Sequence, residues 1–191
     1  MKSLNQFIVT PYDNRYNNKI KVGNKELILN SKIDTFQSVS KKAIVVSTPI
    51  NINTPIQVND EVLIHHNIFR RYYDMKGKEK NSARYFKNDL FFCDMYQIYL
   101  YKKKEEWYTH LDYCFVIPTN NPLEGIIKYT NKELEKQGII KNDLITFSPD
   151  SEFEFMLNGE LLYCMRSKNI ILKHEYQENQ IKYNPSWAQS S

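Results

Sequence analysis

Apolar residues recur along this chain in short runs, which are separated by turn-forming residues. Most runs span about 4 to 10 residues and many alternate apolar with polar positions, which is typical of half-buried strands. The clearest hairpin signal is Asn158-Gly159, a two-residue sequence that favours a type I′ turn. Only residues 131–138, which end at Gly138, favour a short helical turn. The pattern predicts an all-β protein.

The order of these runs is repeated within the chain. The segment "IQVNDEVLIHHN" parallels the later segment "GIIKNDLITFSPDS", since each has a β-branched entry, an Asn-Asp turn and then a strand. The runs before and after them match in the same order. We therefore predict one unit over 1–104, a second unit over 111–176, and a flexible tail over 177–191.

The two copies differ in one connection. Between "FIVTP" and "AIVV" the first copy carries a long polar segment that contains Leu27, Ile28 and Leu29, and the second copy has only a short link there. One interpretation is a core hairpin that turns at Gly23-Asn24 and buries alternate residues. However, three contiguous apolar residues would make both faces of a strand apolar, which favours a docking element for a partner. The sequence leaves both interpretations open.

Composition limits the class of protein. Hydrophobic residues make up 41% of the chain, and 14 Tyr against 5 Gly favour a sheet-rich globular protein. No apolar run approaches the roughly 20 residues that cross a bilayer, so we expect a cytoplasmic protein without a membrane partner. Abundant Asn, Lys, Ile and Tyr are typical of a phage or another AT-rich genome. Cys93, Cys114 and Cys164 lack metal-ligand spacing, which predicts reduced, buried thiols.

Motifs for catalysis or metal binding are missing from the sequence. His65-His66 ends a predicted strand, so we expect the two side chains to point to opposite faces and not to share a metal ion. Asp150, Glu152 and Glu154 alternate and predict a solvated acidic face. Because no phosphate-binding loop or nucleophile motif occurs, we predict neither an enzyme nor a cofactor.

Residues 70–87 form a basic segment with interleaved aromatic residues. It holds seven Lys or Arg and two acidic residues. Such segments bind single-stranded nucleic acid on some β-barrels. The alternative is a solvated loop whose aromatic side chains pack beneath it. The candidate contact residues are Arg70, Arg71, Lys76, Lys78, Lys80 and Arg84.

Two turn-strand segments, "VNDEVLI" (58–64) and "IKNDLIT" (140–146), suggest a family. They resemble the "V-x-x-G-D-x-V" turn that opens a barrel strand in the GroES co-chaperonin family, with Asn59 and Asn142 in place of Gly. Asn tolerates a positive φ better than most residues. "CDMYQIYLY" and "RSKNIIL" are similar to the family's closing segment. The resemblance implies two tandem GroES-like, partly open β-barrels.

The resemblance also implies a function. In the GroES family a loop between the first two strands bears a short apolar tripeptide that docks on the chaperonin, and Leu27, Ile28 and Leu29 occupy that interval here. It implies a co-chaperonin that caps a GroEL-like ring, assists protein folding and itself forms a homo-oligomeric ring, in the host cytoplasm if a phage encodes it. Two alternatives stay open: a nucleic-acid-binding β-barrel that uses residues 70–87, and a virion structural or assembly protein.

Overall fold

The chain divides into two compact units, Met1–Glu105 and Glu106–Ser191, in a computed structural model. Within the described part of the chain, no helix is both long and apolar enough to cross a membrane. Side chains and backbone are described for residues 2–16, 38–174 and 182–185, and backbone pairing also for 19–22 and 25–28.

Short strands account for nearly all of the regular structure. Two large antiparallel sheets are formed, a seven-stranded sheet in the order β11-β10-β5-β4-β1-β9-β8 and a six-stranded sheet in the order β15-β16-β12-β13-β14-β17. The strands are β1 (Phe7–Pro11), β2 (Lys19–Val22), β3 (Lys25–Ile28), β4 (Lys42–Ser47), β5 (Glu61–Ile64), β6 (Arg71–Tyr73), β7 (Glu79–Asn81), β8 (Tyr85–Lys87), β9 (Leu90–Cys93), β10 (Ile98–Lys103), β11 (Glu106–Thr109), β12 (Tyr113–Pro118), β13 (Glu124–Tyr129), β14 (Leu144–Phe147), β15 (Phe153–Leu157), β16 (Glu160–Arg166) and β17 (Ile170–Lys173).

The all-β prediction is confirmed. Strands β2 and β3 pair with each other in a separate two-stranded sheet, and so do β6 and β7. Neither large sheet closes into a barrel over the residues that the structure describes. In the described part of the chain each of the two sheets therefore keeps two edge strands, whose backbone groups can pair with another strand.

The two large sheets share one strand order. The path β8-β9-β1-β4-β5-β10 in the first sheet corresponds step by step to β15-β16-β12-β13-β14-β17 in the second. The register also shifts at the same place, between Ile8 and Val9 in β1 and between Phe115 and Val116 in β12. The repeat seen in the sequence thus recurs in the sheet topology.

The Asn-Asp turns are equivalent in the two units. Asn59 and Asn142 both have φ of 73°. The backbone N–H of Asn59 donates to the carbonyl of Val45, and that of Asn142 donates to the carbonyl of Ile127, each at 2.8 Å. Both Asn residues thus adopt the positive φ that the sequence analysis considered for them, a region that Asn reaches at lower cost than most residues.

Two further local predictions are confirmed. Asn158 and Gly159 have φ of 54° and 75° and join β15 to β16, as a type I′ turn requires. A short helix, α1 (Lys132–Lys136), follows Asn131, whose side-chain oxygen accepts two backbone N–H groups of the first turn at 3.0 Å each. Gly138 has φ of 79°, so it ends this segment in the left-handed region.

Each unit encloses its own apolar core. Buried and partly buried residues alternate along β4. In β12 every residue is buried, so both faces of this strand are covered. Cys93 lies in the first core and Cys114 in the second; Cys164 is also buried, and burial raises the pKa of the Cys114 thiol to about 12. The predicted burial of the three thiols is confirmed.

The predicted orientation of His65 and His66 is wrong. Their rings are stacked, with centroids 4.4 Å apart and an interplanar angle of 24°. The reason is local: the chain leaves β5 and enters a 3-10 turn at His66–Ile68, which ends the alternation of faces. Among the described residues there is no group of three or more His, Cys, Asp or Glu side chains that could hold a metal ion.

Candidate docking surface

Two connections of the first unit are much longer than their counterparts in the second. Residues 12–41 join β1 to β4, where 119–123 join β12 to β13. Residues 65–84 join β5 to β8, where 148–152 join β14 to β15. We name 12–41 the first excursion and 65–84 the second excursion. The first contains the hairpin β2–β3 and the second contains the hairpin β6–β7.

The base of the first excursion is fixed in the core. Tyr16 forms an antiparallel bridge with Val39, and the N–H of Ser40 donates to the carbonyl of Arg15 at 3.0 Å. Tyr16 and Val39 are both buried members of the first core. The first excursion therefore starts and ends at adjacent, anchored points of the unit.

The predicted docking residues lie beyond this base. Leu27 and Ile28 belong to β3 and are paired with Ile20 and Lys19 of β2. The predicted strand pairing of a hairpin is thus confirmed, and its sheet is separate from the seven-stranded sheet. Leu29 lies outside the described residues.

Arg15 joins the two excursions. Its Nε donates to the carbonyl of Phe69 at 2.8 Å, and its Nη1 donates to Oδ1 of Asn81 at 2.7 Å. The guanidinium carbon lies 4.7 Å from the centroid of the Phe91 ring, a distance suited to a cation–π contact. Arg15, at the base of the first excursion, thus contacts both ends of the hairpin β6–β7 in the second excursion.

Tyr16 makes a second connection. The backbone N–H of Arg71 donates to the Tyr16 hydroxyl oxygen, and the Arg71 guanidinium carbon lies 5.3 Å from the Tyr16 ring centroid. Arg71 Nη1 also lies 3.4 Å from Oε1 of Glu79 on the paired strand. We call Arg15, Tyr16, Arg71 and Asn81 the clasp, because these four residues connect the two excursions.

The clasp carries two cationic groups close together. Burial and, next, the positive charge of Arg71 lower the pKa of Arg15. Arg15 Nη2 and Arg71 Nε are buried and have no hydrogen-bond acceptor in the described structure. The carboxylates of Asp89 and Glu79 act in the opposite direction and raise the pKa of Arg15, but by less than burial and Arg71 lower it.

Residues 71–81 form a basic hairpin that we name the arm. Its turn is held by Asp74, whose Oδ1 accepts the backbone N–H groups of Lys76 and Lys78 at 2.9 Å each. The other oxygen, Oδ2, lies 3.8 Å from Nζ of Lys80. The acidic side chain at the turn is therefore used within the arm.

Both faces of the arm meet solvent. Tyr72 is 50% exposed and Tyr73 is 46% exposed, and successive strand residues point to opposite faces. Met75 at the turn is fully exposed. Tyr85, by contrast, has its ring centroid 5.4 Å from that of Phe91 in an edge-on contact. The alternative in which the aromatic side chains pack underneath is therefore wrong for Tyr72 and Tyr73, whereas Tyr85 contacts Phe91 on one side and is still 36% exposed.

The six predicted basic residues divide into two groups. Arg71 and Lys80 are in the ion pairs above. Arg84 Nη2 lies 2.6 Å from Oδ2 of Asp94, and the other oxygen of Asp94, Oδ1, accepts from Gln6 Nε2 at 2.6 Å. The other three are exposed and make no ion pair with any residue in the described ranges: Arg70, Lys76 and Lys78.

Sequence reasoning missed Arg15 and Tyr16. Arg15 lies 66 positions from Asn81, and Tyr16 lies 55 positions from Arg71, so no local pattern relates them. Arg15 and Tyr16 lie in a polar segment before the predicted hairpin, and nothing in that segment indicated that their side chains would connect the two excursions. The arrangement offers hydrogen-bonding, cationic and aromatic groups for binding a partner. No protein-family model matches the chain, and comparisons with curated proteins and with solved structures found no similar protein.

Proposed function

We propose that the protein is a co-chaperonin that caps a GroEL-like ring in the cytoplasm and assists protein folding. One observation carries the proposal: the hairpin β2–β3 stands in a connection that is long in the first unit and short in the second, outside both large sheets. Leu27 and Ile28 belong to β3, which is not a strand of either large sheet, and this supports a role for them outside those sheets. Leu27, Ile28 and Leu29 would enter an apolar groove of the chaperonin.

The finer fold belongs to the same proposal. Each unit would be a GroES-like, partly open barrel, and the common strand order of the two sheets supports descent from one repeated unit. The Asn59 and Asn142 turns support it further, because they adopt the positive φ that Gly would otherwise provide.

A single hairpin would bind too weakly to cap a ring. Burying three apolar side chains contributes about 3 to 6 kcal/mol, and association itself costs a comparable amount. Several copies acting together would gain affinity by avidity, which requires a homo-oligomeric ring. Edge strand β17 supports such assembly, because Ile171 and Leu172 on it are exposed. Pairing between edges of neighbouring chains would cover them.

A pull-down with a bacterial chaperonin and nucleotide, together with chaperonin ATPase rates, tests the proposal. Replacing Leu27, Ile28 and Leu29 together with Ala should abolish binding and the effect on ATPase activity. The matched control is I50A/V58A, since both residues are exposed and apolar but lie outside the excursions. Binding by the triple variant at the wild-type level would remove the docking role.

Ring assembly has its own measurement. Light scattering of the purified protein should give the mass of an oligomer at micromolar concentration. A monomer under these conditions would contradict the ring, and with it the avidity on which the proposal depends.

A further inference from the structure

The positive charge of the protein is concentrated in one segment. Residues 70–87 hold seven Lys or Arg and two acidic residues, a net charge of +5, whereas the whole chain has a net charge of +4. The rest of the chain therefore carries a net charge of −1. An uneven distribution of this kind attracts an oppositely charged partner to one part of the surface.

The acidic residues of the segment do not neutralise its tip. Asp74 is used by the turn and by Lys80, and Glu79 is paired with Arg71 near the clasp. Lys76 and Lys78 remain exposed at the turn, next to the exposed side chains of the arm. The tip therefore presents cations beside apolar and aromatic surface, a combination that fits an acidic surface with apolar contacts.

In the part of the chain that the structure describes, the contacts that join the arm to the rest of the unit lie at its base. A two-stranded hairpin is marginally stable in water, and both faces of this one are exposed. The clasp fixes its base through Arg71 and Asn81 to residues that also fix the base of the first excursion. The bases of the two excursions are therefore held together, and we expect a partner bound at the first excursion to lie close to the arm.

We propose that the arm is a second docking element, which contacts an acidic surface of the chaperonin beside the groove that receives β2–β3. The inference rests on the proposed function, because it takes the chaperonin as the partner. Exposed charges of this kind raise the association rate and orient the partners, and they add little to affinity at high salt. Because Tyr72 and Tyr73 point to opposite faces of the arm, one of the two would supply aromatic contact area on the face that meets the chaperonin.

The test is the association rate with an immobilised chaperonin, measured with nucleotide at 50, 150 and 300 mM salt (concentrations on either side of physiological ionic strength, roughly 0.15 M). For the wild type the rate should fall as salt rises. K76E/K78E should associate on the order of tenfold more slowly at the lowest salt and approach the wild-type rate at the highest. Its thermal unfolding should be unchanged, because both side chains are exposed.

The control is K132E/K136E, which makes the same change of charge on exposed positions of α1 in the second unit. Equal slowing by the two variants would overturn the inference, since net charge alone would then explain the effect. A wild-type rate that does not depend on salt would overturn it too.

Failure of the inference differs from failure of the proposed function. If the wild type does not bind the chaperonin at all, the proposed function fails and the inference fails with it. If binding requires Leu27, Ile28 and Leu29 but ignores K76E/K78E, only the inference fails. Salt-dependent retention on single-stranded DNA that K76E/K78E abolishes, with chaperonin binding unchanged, would assign the arm to nucleic acid and overturn the inference.

Discussion

Asp60 Oδ2 and Lys103 Nζ lie 2.8 Å apart, so the turn before β5 is tied to the end of β10. The same carboxylate oxygen accepts the backbone N–H of Gln57 at 2.6 Å. The second unit repeats the pair, with Asp143 Oδ2 and Lys173 Nζ 2.7 Å apart. The two units thus share a turn, a strand order and the ion pair that fastens the turn.

This ion pair predicts a matched loss of stability. D60N and D143N should each lower the free energy of unfolding by about 1 to 2 kcal/mol, because each removes charge from a carboxylate that accepts a backbone N–H and pairs with Lys. Urea unfolding followed by circular dichroism measures the loss. D150N is the control, since Asp150 is exposed at a turn. If D60N, D143N and D150N unfold at the same urea concentration, the ion pair has no structural role.

Loss of the clasp should expose the arm to proteolysis. R15M removes the hydrogen bonds to Phe69 and Asn81, so the base of the arm should open more often. Trypsin cleavage after Lys76 or Lys78 should become several-fold faster, as measured by mass spectrometry of a time course. R166M is the control, because it removes a cation–aromatic contact with Tyr113 in the second unit. Equal cleavage rates in R15M and the wild type would show that Arg15 does not hold the arm.

Acidification should destabilise the first unit through His66. Burial, followed by the charges of His65, Lys41 and Arg70, lowers the pKa of His66 to about 4. The unfolded chain, with a pKa near 6.5, then binds the proton more tightly, so stability is complete above pH ~6.5 and falls as pH drops toward 4. After allowance for solvent screening, the loss is on the order of 1 kcal/mol.

The measurement is the unfolding midpoint between pH ~6.5 and ~5, a range above the ordinary pKa of carboxylates. Over this range the unfolding midpoint of H66Q should change less with pH than that of the wild type. If the two proteins show the same change of midpoint with pH, His66 is not the group that titrates.

Asn131 connects α1 to the second core. It is buried, and its Nδ2 donates to the carbonyl of Tyr113 at 2.9 Å and to Oγ of Ser167 at 2.8 Å. N131A should cost about 2 to 4 kcal/mol, since it removes the helix cap and leaves buried partners unsatisfied. N131S should cost less, because Ser is also a good cap. Thermal unfolding checks both, and equal stability of N131A and the wild type would contradict the role.

Local chemistry was the part of the fold that the sequence predicted well. Asn158-Gly159 and Asn59 determine their turns through backbone conformations that few residues adopt, so their effect is visible in a short window. The stacking of His65 on His66 was missed because the alternation of apolar and polar residues does not show where β5 ends and the 3-10 turn begins. The clasp was missed because its bonds join residues that are distant in sequence.

The candidate site was predictable only in part. The charge of the arm could be read from residues 70–87, but charge alone did not distinguish Arg71 and Arg84, which are paired, from Lys76 and Lys78, which are exposed. Pairing depends on which strands lie side by side, and that is set by the whole sheet.

The difference between the two connections after β1 and β12 has a consequence for counting. In a ring of such chains the first unit of each chain would carry a docking hairpin and the second unit would not. The number of contacts would equal the number of chains and half the number of units. The number of docking positions on a chaperonin that binds such a ring would therefore have to match the number of chains and not the number of units.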